Sequence, residues 1–458
     1  MQPLHSLLWP TTATITTNNR LSLAGCDTVT LAQEYGTPLY VLDEATLHGA
    51  AARFLAALRR AYPADSAVHY AGKALLNTAV AQLVARWGLG LDCVSLGELA
   101  ITRRAGVALE HVHLHGNAKP RSELVQALAW GVGRIMVDSL DELRVLDELT
   151  RDRLAAGHAP QPILLRVNPG VDVHTHAHIQ TGQLDSKFGL PIATGLALQA
   201  VEYALQSPGL ELVGIHAHLG SQIAELEALA LGVERLLALA AALGSRYGWH
   251  LRELSPGGGL GVPYRAEDPA PEIEAYVQTL ADAVIAGCER WSMPLPKLVI
   301  EPGRSLIARA VVALYEVLAV KTVEGVRTFV AVDGGMGDNI RPALYDARYT
   351  VLRADRAVEP PTERVTVVGR YCESGDVLLR DVLLPPLEPG ALLAIPMAGA
   401  YTLSMASTYN LVPRPPLVLV RAGHSHVLQR RETVDDLALR DLAAPPDSGS
   451  EANIGPNS

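Results

Sequence analysis

Cysteine is scarce in this chain. The 458 residues include only four cysteines, which are widely scattered and form no Cys-x-x-Cys pair: Cys26, Cys93, Cys288 and Cys372. Structural zinc sites and disulfide scaffolds use closely spaced or numerous cysteines, so the sequence predicts neither a metal site nor a disulfide framework. This usage is typical of the reducing cytoplasm, where we expect the protein to be located.

A basic excess and a long apolar run are lacking as well. The net charge of -10 argues against general nucleic-acid binding, because that activity needs a basic surface. No run of about 18 apolar residues without charge appears, and the first residues lack a basic start followed by a long apolar stretch. We therefore expect no nucleic-acid partner, no membrane span and no secretory signal. With 49% hydrophobic residues, the chain is long enough for two sizeable domains.

Lysine is the third scarcity, because arginine supplies nearly all of the positive charge. Only five lysines occur, and one of them, Lys73, stands in the segment VHYAGKALLN at residues 68–77. It directly follows an apolar run and lies between Gly72 and Ala74, with no surface charge pattern around it. A lysine in such a position needs a functional explanation.

From about residue 67 to 305, short apolar runs alternate with longer segments whose apolar residues recur at helical spacing. The runs are AVHYAGKA, LGLDCVS, HVHLHGN, RIMVDS, PILLRVNP, LVGIHAHLGSQ, LRELSPGGG and LVIEPGRS. Alternation of strand and helix predicts a parallel sheet, and eight strands close into a (β/α)8 TIM barrel, which we place at residues 46–310. An open doubly wound sheet is the competing architecture.

The pattern changes after residue 310. Segments such as RVTVVGRYCES and ALLAIPMAGAY are rich in β-branched residues and interrupted by turns, as in antiparallel strands. We expect a second, mostly β domain at residues 311–442, and the strand-like TPLYVLDEATL suggests that residues 1–45 pack with it. Residues 443–458 are rich in Pro, Gly and Ser, and we expect a disordered tail.

Polar residues cluster at the C-terminal ends of the eight runs. In a barrel these ends form one face, where active sites are built. The residues concerned are Lys73, Asp92, Asn117, Asp138, Arg166, His218, Ser221, Gly257, Gly258, Gly259, Glu301 and Arg304. Lys73 is therefore expected to point into the mouth of the barrel.

The segment SPGGGLG, after the seventh run, suggests an anion site. Its glycines leave backbone N–H groups free to approach an anion, although a glycine run can also be a plain turn. Barrels often hold phosphate in the loops after strands seven and eight, and EPGRS follows the eighth run here, with the Ser221 hydroxyl after the sixth. A lysine beside a phosphate site suggests pyridoxal 5′-phosphate (PLP), whose aldehyde forms a Schiff base with a lysine amine.

Glu301 is the candidate to face the pyridine nitrogen, because the electron-sink chemistry of PLP requires that nitrogen to be protonated. Its alternative role is that of a capping or salt-bridged carboxylate. His218 is a candidate to stack on the cofactor ring, or else a histidine that is only hydrogen-bonded.

The second domain offers further candidates. Cys372 and Glu373, in YCESGD, can supply a proton donor and a polar substrate contact, although most single cysteines are simply buried. Arg341 and Tyr345 lie four residues apart and can clamp a carboxylate. Tyr401 is either a phosphate or substrate contact or an ordinary aromatic residue of the β domain.

Together these motifs resemble the diaminopimelate decarboxylase family. The matching segments are YAGKALLN, GLDCVSLGEL, HGNAKP, VDSLDEL, RVNPG, HIQTG with SKFG, GIHAHLGSQI, SPGGGLGVPY, EPGRSLIA, VDGGMGDNIRPALY, YCESGDVL and GAYTLSMASTYN. The family belongs to the barrel-type (fold type III) PLP-dependent decarboxylases related to eukaryotic ornithine decarboxylase and alanine racemase. The resemblance implies a PLP-binding barrel with an alanine racemase-like β domain. It also implies decarboxylation of meso-2,6-diaminopimelate to L-lysine and CO₂, the last step of lysine biosynthesis.

The resemblance implies a role for each candidate residue. Lys73 carries the cofactor, His218 stacks on its ring and Glu301 pairs with its pyridine nitrogen. The other cofactor-binding residues are Asp92, Ser221, Gly257, Gly258, Gly259, Pro302, Gly303, Arg304 and Tyr401. Cys372 protonates the carbanion after CO₂ leaves. The substrate-binding residues are Arg304, Arg341, Tyr345, Glu373 and Tyr401. In similar enzymes the Cys-Glu-Ser loop reaches the site of the other subunit, which implies a homodimer with a shared active site.

Rival functions remain open at this point. The nearest is a sister decarboxylase of the same fold that acts on carboxynorspermidine, on a carrier-bound glutamyl group or on a D-amino acid. A non-catalytic PLP-binding protein is another, and the β domain with Cys372 and Glu373 argues against it. A racemase is a third, and it needs a base in place of the Cys–Glu pair.

Overall fold

The computed structural model describes residues 4–171 and 186–444. Of the predicted disordered tail, residues 445–458 lie outside the described residues, and so does the segment HIQTG.

The described residues form two groups of elements, a barrel of parallel strands with outer helices and a mostly β second domain. The strands are β1 (Thr14–Ile15), β2 (Leu21–Leu23), β3 (Cys26–Asp27), β4 (Leu39–Asp43), β5 (Ser66–Ala71), β6 (Gly90–Cys93), β7 (Val112–Leu114), β8 (Arg134–Val137), β9 (Gln161–Asn168), β10 (Leu190–Pro191), β11 (Leu210–His216), β12 (Glu253–Gly257), β13 (Lys297–Ile300), β14 (Val311–Val323), β15 (Arg327–Val332), β16 (Leu352–Arg353), β17 (Glu363–Val368), β18 (Val377–Leu384), β19 (Leu392–Ile395), β20 (Leu417–Arg421) and β21 (His424–Gln429). The helices are α1 (Thr28–Tyr35), α2 (Glu44–Ala61), α3 (Thr78–Arg86), α4 (Leu96–Arg104), α5 (Arg121–Trp130), α6 (Leu140–Ala155), α7 (Leu196–Gln206), α8 (Glu227–Tyr247), α9 (Ile273–Arg290), α10 (Arg304–Ile307), α11 (Arg341–Tyr345) and α12 (Val434–Ala438).

Eight parallel strands close into a barrel. Its strands pair in the order β5, β6, β7, β8, β9, β11, β12 and β13, and the short β10 is added beside β9. The last strand, β13, pairs with the first, β5, with Leu298 opposite Ser66 and Ile300 opposite Val68. This closure confirms the predicted (β/α)8 barrel and excludes the open doubly wound sheet.

Helix α2 shows how the local sequence produces the outer helices. The side chain of Asp43 accepts a hydrogen bond from the Thr46 N–H at 2.8 Å, which satisfies one of the free donors of the first turn. Apolar residues recur at helical spacing, so that Leu47, Phe54 and Leu58 are buried on one side of the helix. Burial of side chains of this size stabilises the fold by about 1.5–3 kcal/mol each.

Among the described residues, α8 is the one helix whose length and composition would allow it to cross a membrane. It lies beside α9 on the barrel, where Leu229, Val233 and Leu236 are buried. A Cβ atom on Gly287 of α9 would lie 2.3 Å from Cδ1 of Leu237, so the two helices pack closely at a glycine. This packing covers the buried side of α8.

The second domain is built on a sheet in which β18, β17, β15, β14, β4, β20 and β21 follow one another, with β19 and β16 paired beside β14. Strand β4 comes from the N-terminal segment, yet it pairs antiparallel with β14 and parallel with β20 inside this sheet. All of its residues are buried. Because β4 continues directly into α2, one strand joins the second domain to the barrel.

A buried carboxylate, Asp338, lies inside the second domain and is 1% exposed. The hydroxyl groups of Tyr40 and Tyr315 donate hydrogen bonds to its Oδ2 atom, and the Gly335 N–H donates to Oδ1 at 2.9 Å. Burial disfavours the ionised carboxylate and raises the pKa of Asp338 to about 6 in spite of these donors.

We predict that Asp338→Asn changes how stability depends on pH. An unfolded aspartate has a pKa of about 3.9, so between about pH 4 and 6 the folded protein keeps a proton that the unfolded chain has released. The unfolding free energy of the parent protein therefore falls as the pH rises through this window, by about 3 kcal/mol at most, and the neutral Asn variant lacks this loss.

The measurement is the thermal unfolding midpoint of both proteins at about pH 4.5 and 7.5. The midpoint of the variant minus that of the parent should be larger at the higher pH. Asp65→Asn, at an exposed position, controls for removal of one negative charge. A midpoint difference that is the same at both pH values would contradict the raised pKa.

Candidate active site

A cavity of about 1330 Å³ opens at the C-terminal face of the barrel, where segments of the second domain form part of its wall. Most of the residues predicted from the sequence line it: Lys73, Asp92, His218, Ser221, Gly259, Glu301, Gly303, Arg304, Arg341, Tyr345 and Tyr401. Gly257, Gly258 and Pro302 belong to the same loops but do not line the cavity, and Cys372 and Glu373 lie outside it. The barrel thus brings strand ends that are distant in sequence to one place.

Lys73 directly follows β5, in a short 3₁₀ helix at Gly72–Ala74, and its side chain lines the cavity. The second domain holds this turn in place. The carbonyl oxygen of Ala74 accepts hydrogen bonds from the Tyr401 N–H at 3.0 Å and from the Ser404 hydroxyl at 2.9 Å. The position of Lys73 therefore depends on both domains.

The surroundings of Lys73 favour its neutral form. Lys73 is exposed to the open cavity, but desolvation by the cavity walls, followed by the positive charge of Arg166, lowers the pKa of its amine against the opposing charges of Glu301 and Asp92. A neutral amine is the nucleophilic form of lysine, so the site prepares Lys73 for attack on a carbonyl carbon.

Glu301 follows β13 and is buried. The Ser255 hydroxyl donates a hydrogen bond to Oε1 at 2.6 Å, and Nε2 of His216 lies 3.1 Å from Oε2. Burial, with a further contribution from the negative charge of Asp92, raises the pKa of Glu301 to about 7. Neighbouring strands therefore fix both carboxylate oxygens in a group that can share a proton near neutral pH.

Asp92, in β6, is the second buried carboxylate of the cavity. Nδ1 of His69 lies 3.1 Å and Nε2 of His115 lies 3.5 Å from its Oδ1 atom. Burial on its own would raise the pKa of Asp92, but the charges of His115 and His69, together with the hydrogen bond to His69, outweigh it and hold the pKa well below the usual range. Asp92 is therefore a fixed negative charge beside Glu301.

His218 lies just after β11 and lines the cavity. Burial, followed by the positive charge of Lys73, lowers the pKa of His218 well below its ordinary value, so the imidazole is neutral. Gly257 leaves room for this ring, because a Cβ atom there would lie 2.9 Å from Nδ1 of His218. A flat, neutral ring at this place can pack against a planar aromatic ligand.

The glycines after β12 bring three loops together. A Cβ atom on Gly258 would lie 2.1 Å from the carbonyl oxygen of Glu301, and one on Gly259 would lie 2.5 Å from that of Gly220. Gly259 also has a φ angle of 104°, a conformation that residues with side chains disfavour. Glycine at these positions therefore allows the loops after β11, β12 and β13 to approach closely, so that backbone forms one side of the cavity.

Arg304 gathers the polar groups beside this backbone. Its guanidinium donates hydrogen bonds to the hydroxyl groups of Tyr264 at 2.7 Å and Ser221 at 3.2 Å, and it lies 4.7 Å from the centre of the Tyr401 ring. Its Nε atom is buried and has no hydrogen-bond partner among the residues that the structure describes. A buried donor of this kind fits an anionic ligand with several oxygens.

Arg341 and Tyr345, at the two ends of α11, bring the second domain to the mouth of the cavity. Arg341 is buried, donates a hydrogen bond to the Tyr349 hydroxyl, and lies 4.4 Å from the centre of the Tyr264 ring. Tyr345 is 61% exposed, at the rim. This placement fits a contact with a carboxylate that enters from the mouth.

Cys372 and Glu373 lie between β17 and β18. Cys372 is exposed, whereas the other cysteines of the chain are buried. The Cys372 N–H donates to Oδ1 of Asn410 at 2.9 Å, and the carboxylate of Asp376 accepts from the Tyr371 N–H at 2.8 Å. The loop is therefore well supported on the second domain, away from the cavity of its own chain.

The structure adds contacts that the sequence motifs did not reveal. Tyr264 ends the motif SPGGGLGVPY and lies between Arg304 and Arg341, a position that the motif itself does not indicate. His216 and Ser255 form hydrogen bonds with Glu301. The sequence carried a signal for His216, because it precedes His218 by two positions and residues two apart in a strand point to the same side.

Comparisons with known proteins agree with this geometry. Residues 49–308 match the family model described as "Pyridoxal-dependent decarboxylase, pyridoxal binding domain". The diaminopimelate decarboxylase of Synechocystis is 43% identical over 448 residues, which cover 96% of this chain and 93% of that protein. The chain belongs to the diaminopimelate decarboxylase family. The Bacillus subtilis member is 42% identical over 93% of this chain and 96% of its own. The crystal structure of the M. jannaschii member has a TM-score of 0.89 at 32% identity and covers 95% of this chain and 98% of its own.

Membership of the diaminopimelate decarboxylase family confirms the family and the pyridoxal cofactor predicted from the motifs. The residues of the cavity fit this group. Lys73 offers an amine with a lowered pKa, Glu301 a buried carboxylate and His218 a flat ring, while the glycine loops and the unsatisfied Nε of Arg304 fit a phosphate.

We predict that Gly258→Ala weakens cofactor binding. The added methyl group would overlap the carbonyl oxygen of Glu301, so the loops after β12 and β13 must separate, at a cost of about 1–3 kcal/mol. The measurement is the dissociation constant for PLP by equilibrium dialysis, which should rise by about tenfold or more. Gly49→Ala is the matched control, because a Cβ atom at Gly49 meets nothing within 4 Å. Unchanged affinity in Gly258→Ala would show that the close approach of these loops does not shape the cofactor site.

Proposed function

We propose that the protein catalyses the PLP-dependent decarboxylation of meso-2,6-diaminopimelate to L-lysine and CO₂, the last step of lysine biosynthesis. The observation that carries the proposal is 43% identity over nearly the full length to a curated diaminopimelate decarboxylase. A solved structure of the M. jannaschii member in co-complex with L-lysine supports the nature of the product.

The cofactor supplies an electron sink for the electron pair that remains on the substrate when CO₂ leaves. Lys73 would bind the cofactor through its amine, whose lowered pKa favours the neutral, nucleophilic form. The carboxylate of Glu301, fixed by Ser255 and His216, would hold the proton at the pyridine nitrogen. His218 packs on the ring. Each of these assignments follows from the group that the residue presents to the cavity.

The remaining cofactor contacts concern the phosphate and the charge around the ring. Ser221, Arg304 and Tyr401 lie together beside the glycine loops and would bind the phosphate oxygens. Asp92 keeps a negative charge next to Glu301, which favours retention of a proton there.

The substrate has an amino-acid group at each end, so one end must be held while the other reacts. Arg341 and Tyr345 lie at the mouth of the cavity and bind the distal carboxylate, and Arg304, which donates a hydrogen bond to the Tyr264 hydroxyl, lies nearby. A planar guanidinium can bind a carboxylate through two parallel hydrogen bonds, which fixes the orientation of the distal end.

Cys372 and Glu373 act from a second copy of the chain. Cys372 is exposed and lies outside the cavity of its own chain, which supports delivery of both side chains to a partner subunit in a homodimer. There the Cys372 thiol gives its proton to the carbon from which CO₂ has left, and Glu373 binds the distal ammonium group. The predicted cytoplasmic location belongs to the same proposal.

We predict that the purified protein with PLP releases L-lysine and CO₂ in equal amounts from meso-diaminopimelate. Lys73→Ala should reduce lysine formation below detection, because the amine that binds the cofactor is gone. Chromatography of the amino acids and trapping of CO₂ provide the measurement. Lys321→Ala, an exposed lysine on β14, is the control and should behave as the parent. A protein that binds PLP but forms no lysine would be a sister decarboxylase instead.

We predict that two inactive variants restore activity when mixed. In a dimer with shared sites, one Lys73→Ala chain and one Cys372→Ala chain form a single site that has both side chains. Random exchange of subunits makes about half of the dimers mixed, so about a quarter of the parent activity should return. The measurement is turnover after dissociation and reassociation of the two proteins. Absence of recovery, with mixed dimers demonstrated by two affinity tags, would contradict the shared site.

A further inference from the structure

A second cluster of ligand-type side chains lies inside the barrel. One atom each of Asp92, His113, His115 and Glu301 lies within 4.8 Å of all the others. Nε2 of His115 is 3.5 Å from Oδ1 of Asp92 and 3.9 Å from Oε1 of Glu301, and Nδ1 of His113 is 3.8 Å from Oδ1 of Asp92. Ligands of a tetrahedral zinc ion lie about 3.3–3.6 Å apart, since each is about 2.0–2.2 Å from the metal. The cluster therefore has nearly the dimensions of a metal site.

Two of these atoms lack a hydrogen-bond partner within the part of the chain that the structure describes. They are Nδ1 of His113 and Nε2 of His115, in residues that are 5% and 7% exposed. A buried polar atom without a partner costs free energy. Both nitrogens face the same carboxylate oxygen of Asp92, so a cation among them would satisfy both at once.

Outer partners already orient the cluster in the manner of a metal site. Nδ1 of His69 lies 3.1 Å from the Asp92 carboxylate. Nε2 of His113, on the far side of its ring, lies 3.7 Å from Oε1 of Glu253, another buried atom that has no hydrogen-bond partner among the described residues. Metal-binding histidines are typically backed by a carboxylate in this way.

We propose that Asp92, His113, His115 and Glu301 bind one divalent transition-metal ion. Two imidazoles and two carboxylates are ligands that Zn²⁺ and Co²⁺ accept, and the two negative charges balance the charge of the ion. The ion can enter through the cavity, which Asp92, His115 and Glu301 line. The scarcity of cysteine predicted no metal site. That argument does not apply to histidine ligands, and His113 and His115 lie two residues apart at the end of β7, on one side of the strand.

The ion competes with the cofactor. Glu301 is also the carboxylate assigned to the pyridine nitrogen, and this part rests on the proposed function. A carboxylate bound to a metal ion is not free to hold the proton of a pyridine nitrogen. The metal site is therefore complete only in protein that has lost PLP, and the ion would slow reloading with the cofactor.

The test titrates the full-length protein, freed of PLP, with Co²⁺ alone. The visible spectrum of bound Co²⁺ reports its geometry, and we expect one equivalent in a tetrahedral site. His113→Gln should weaken Co²⁺ binding by at least about tenfold. Because His113 does not line the cavity, the same variant should keep PLP-dependent turnover near that of the parent. Equal Co²⁺ affinity in His113→Gln and the parent, or an octahedral spectrum, would overturn the site.

Two controls test the location of the bound Co²⁺. Within the part of the chain that the structure describes, His424 and His426 are exposed two residues apart on β21 and form a rival metal-binding pair, so His426→Gln should leave Co²⁺ binding unchanged. Loss of binding in that variant would overturn the proposal. Loading with PLP should weaken Co²⁺ binding by at least about tenfold. Equal affinity with and without PLP would remove Glu301 from the site and overturn the four-ligand assignment. The titration needs no substrate, so failure of the decarboxylation assay would leave its result standing.

Discussion

The pairing of β13 with β5 is the contact on which the cavity depends. It joins the last strand of the barrel to the first, so that Lys73 and Glu301, which are far apart in sequence, follow neighbouring strands. The pairing continues past the end of β13, because the N–H of Ala71, the last residue of β5, donates a hydrogen bond to the Pro302 carbonyl oxygen at 3.2 Å. A Cβ atom on Gly303 would lie 3.0 Å from that of Ala71, so glycine keeps the two loops in contact just below the lysine turn. An open sheet with identical strands would leave the amine and the carboxylate at opposite edges.

Burial is the common cause of the chemistry in this cavity. It lowers the pKa of Lys73 and raises that of Glu301, so two groups of opposite charge both move toward neutral pH. Asp92 behaves differently because the histidines beside it outweigh the effect of burial. The cavity thus contains an amine with a lowered pKa, a carboxylate that can share a proton and a fixed negative charge, although all are enclosed by the same walls.

The barrel and most of its lining could be predicted from the sequence, because parallel strands that are buried on both faces appear as continuous apolar runs. Functional residues at the ends of such runs are conspicuous, as Lys73 and Glu301 are. The buried polar side chains within the barrel strands could not be predicted. His69, His113 and Glu253 lie within strands, where their direction depends on a register that local patterns do not encode. The position of Cys372 outside the cavity also depends on how the second domain packs, which no short segment determines.

The place of β4 in the second domain has a consequence for synthesis of the chain. Its partners, β14 and β20, lie more than half of the chain further on, so a nascent chain contains β4 long before anything can pair with it. At about 5–20 residues per second, this apolar strand waits for roughly tens of seconds. During that time α2 and the barrel strands are already available for folding, while the N–H and C=O groups of β4 have no partner strand. The barrel can thus assemble first, but the second domain, and with it the Tyr401 contact that holds the lysine turn, is completed only after β20 and β21 have been made.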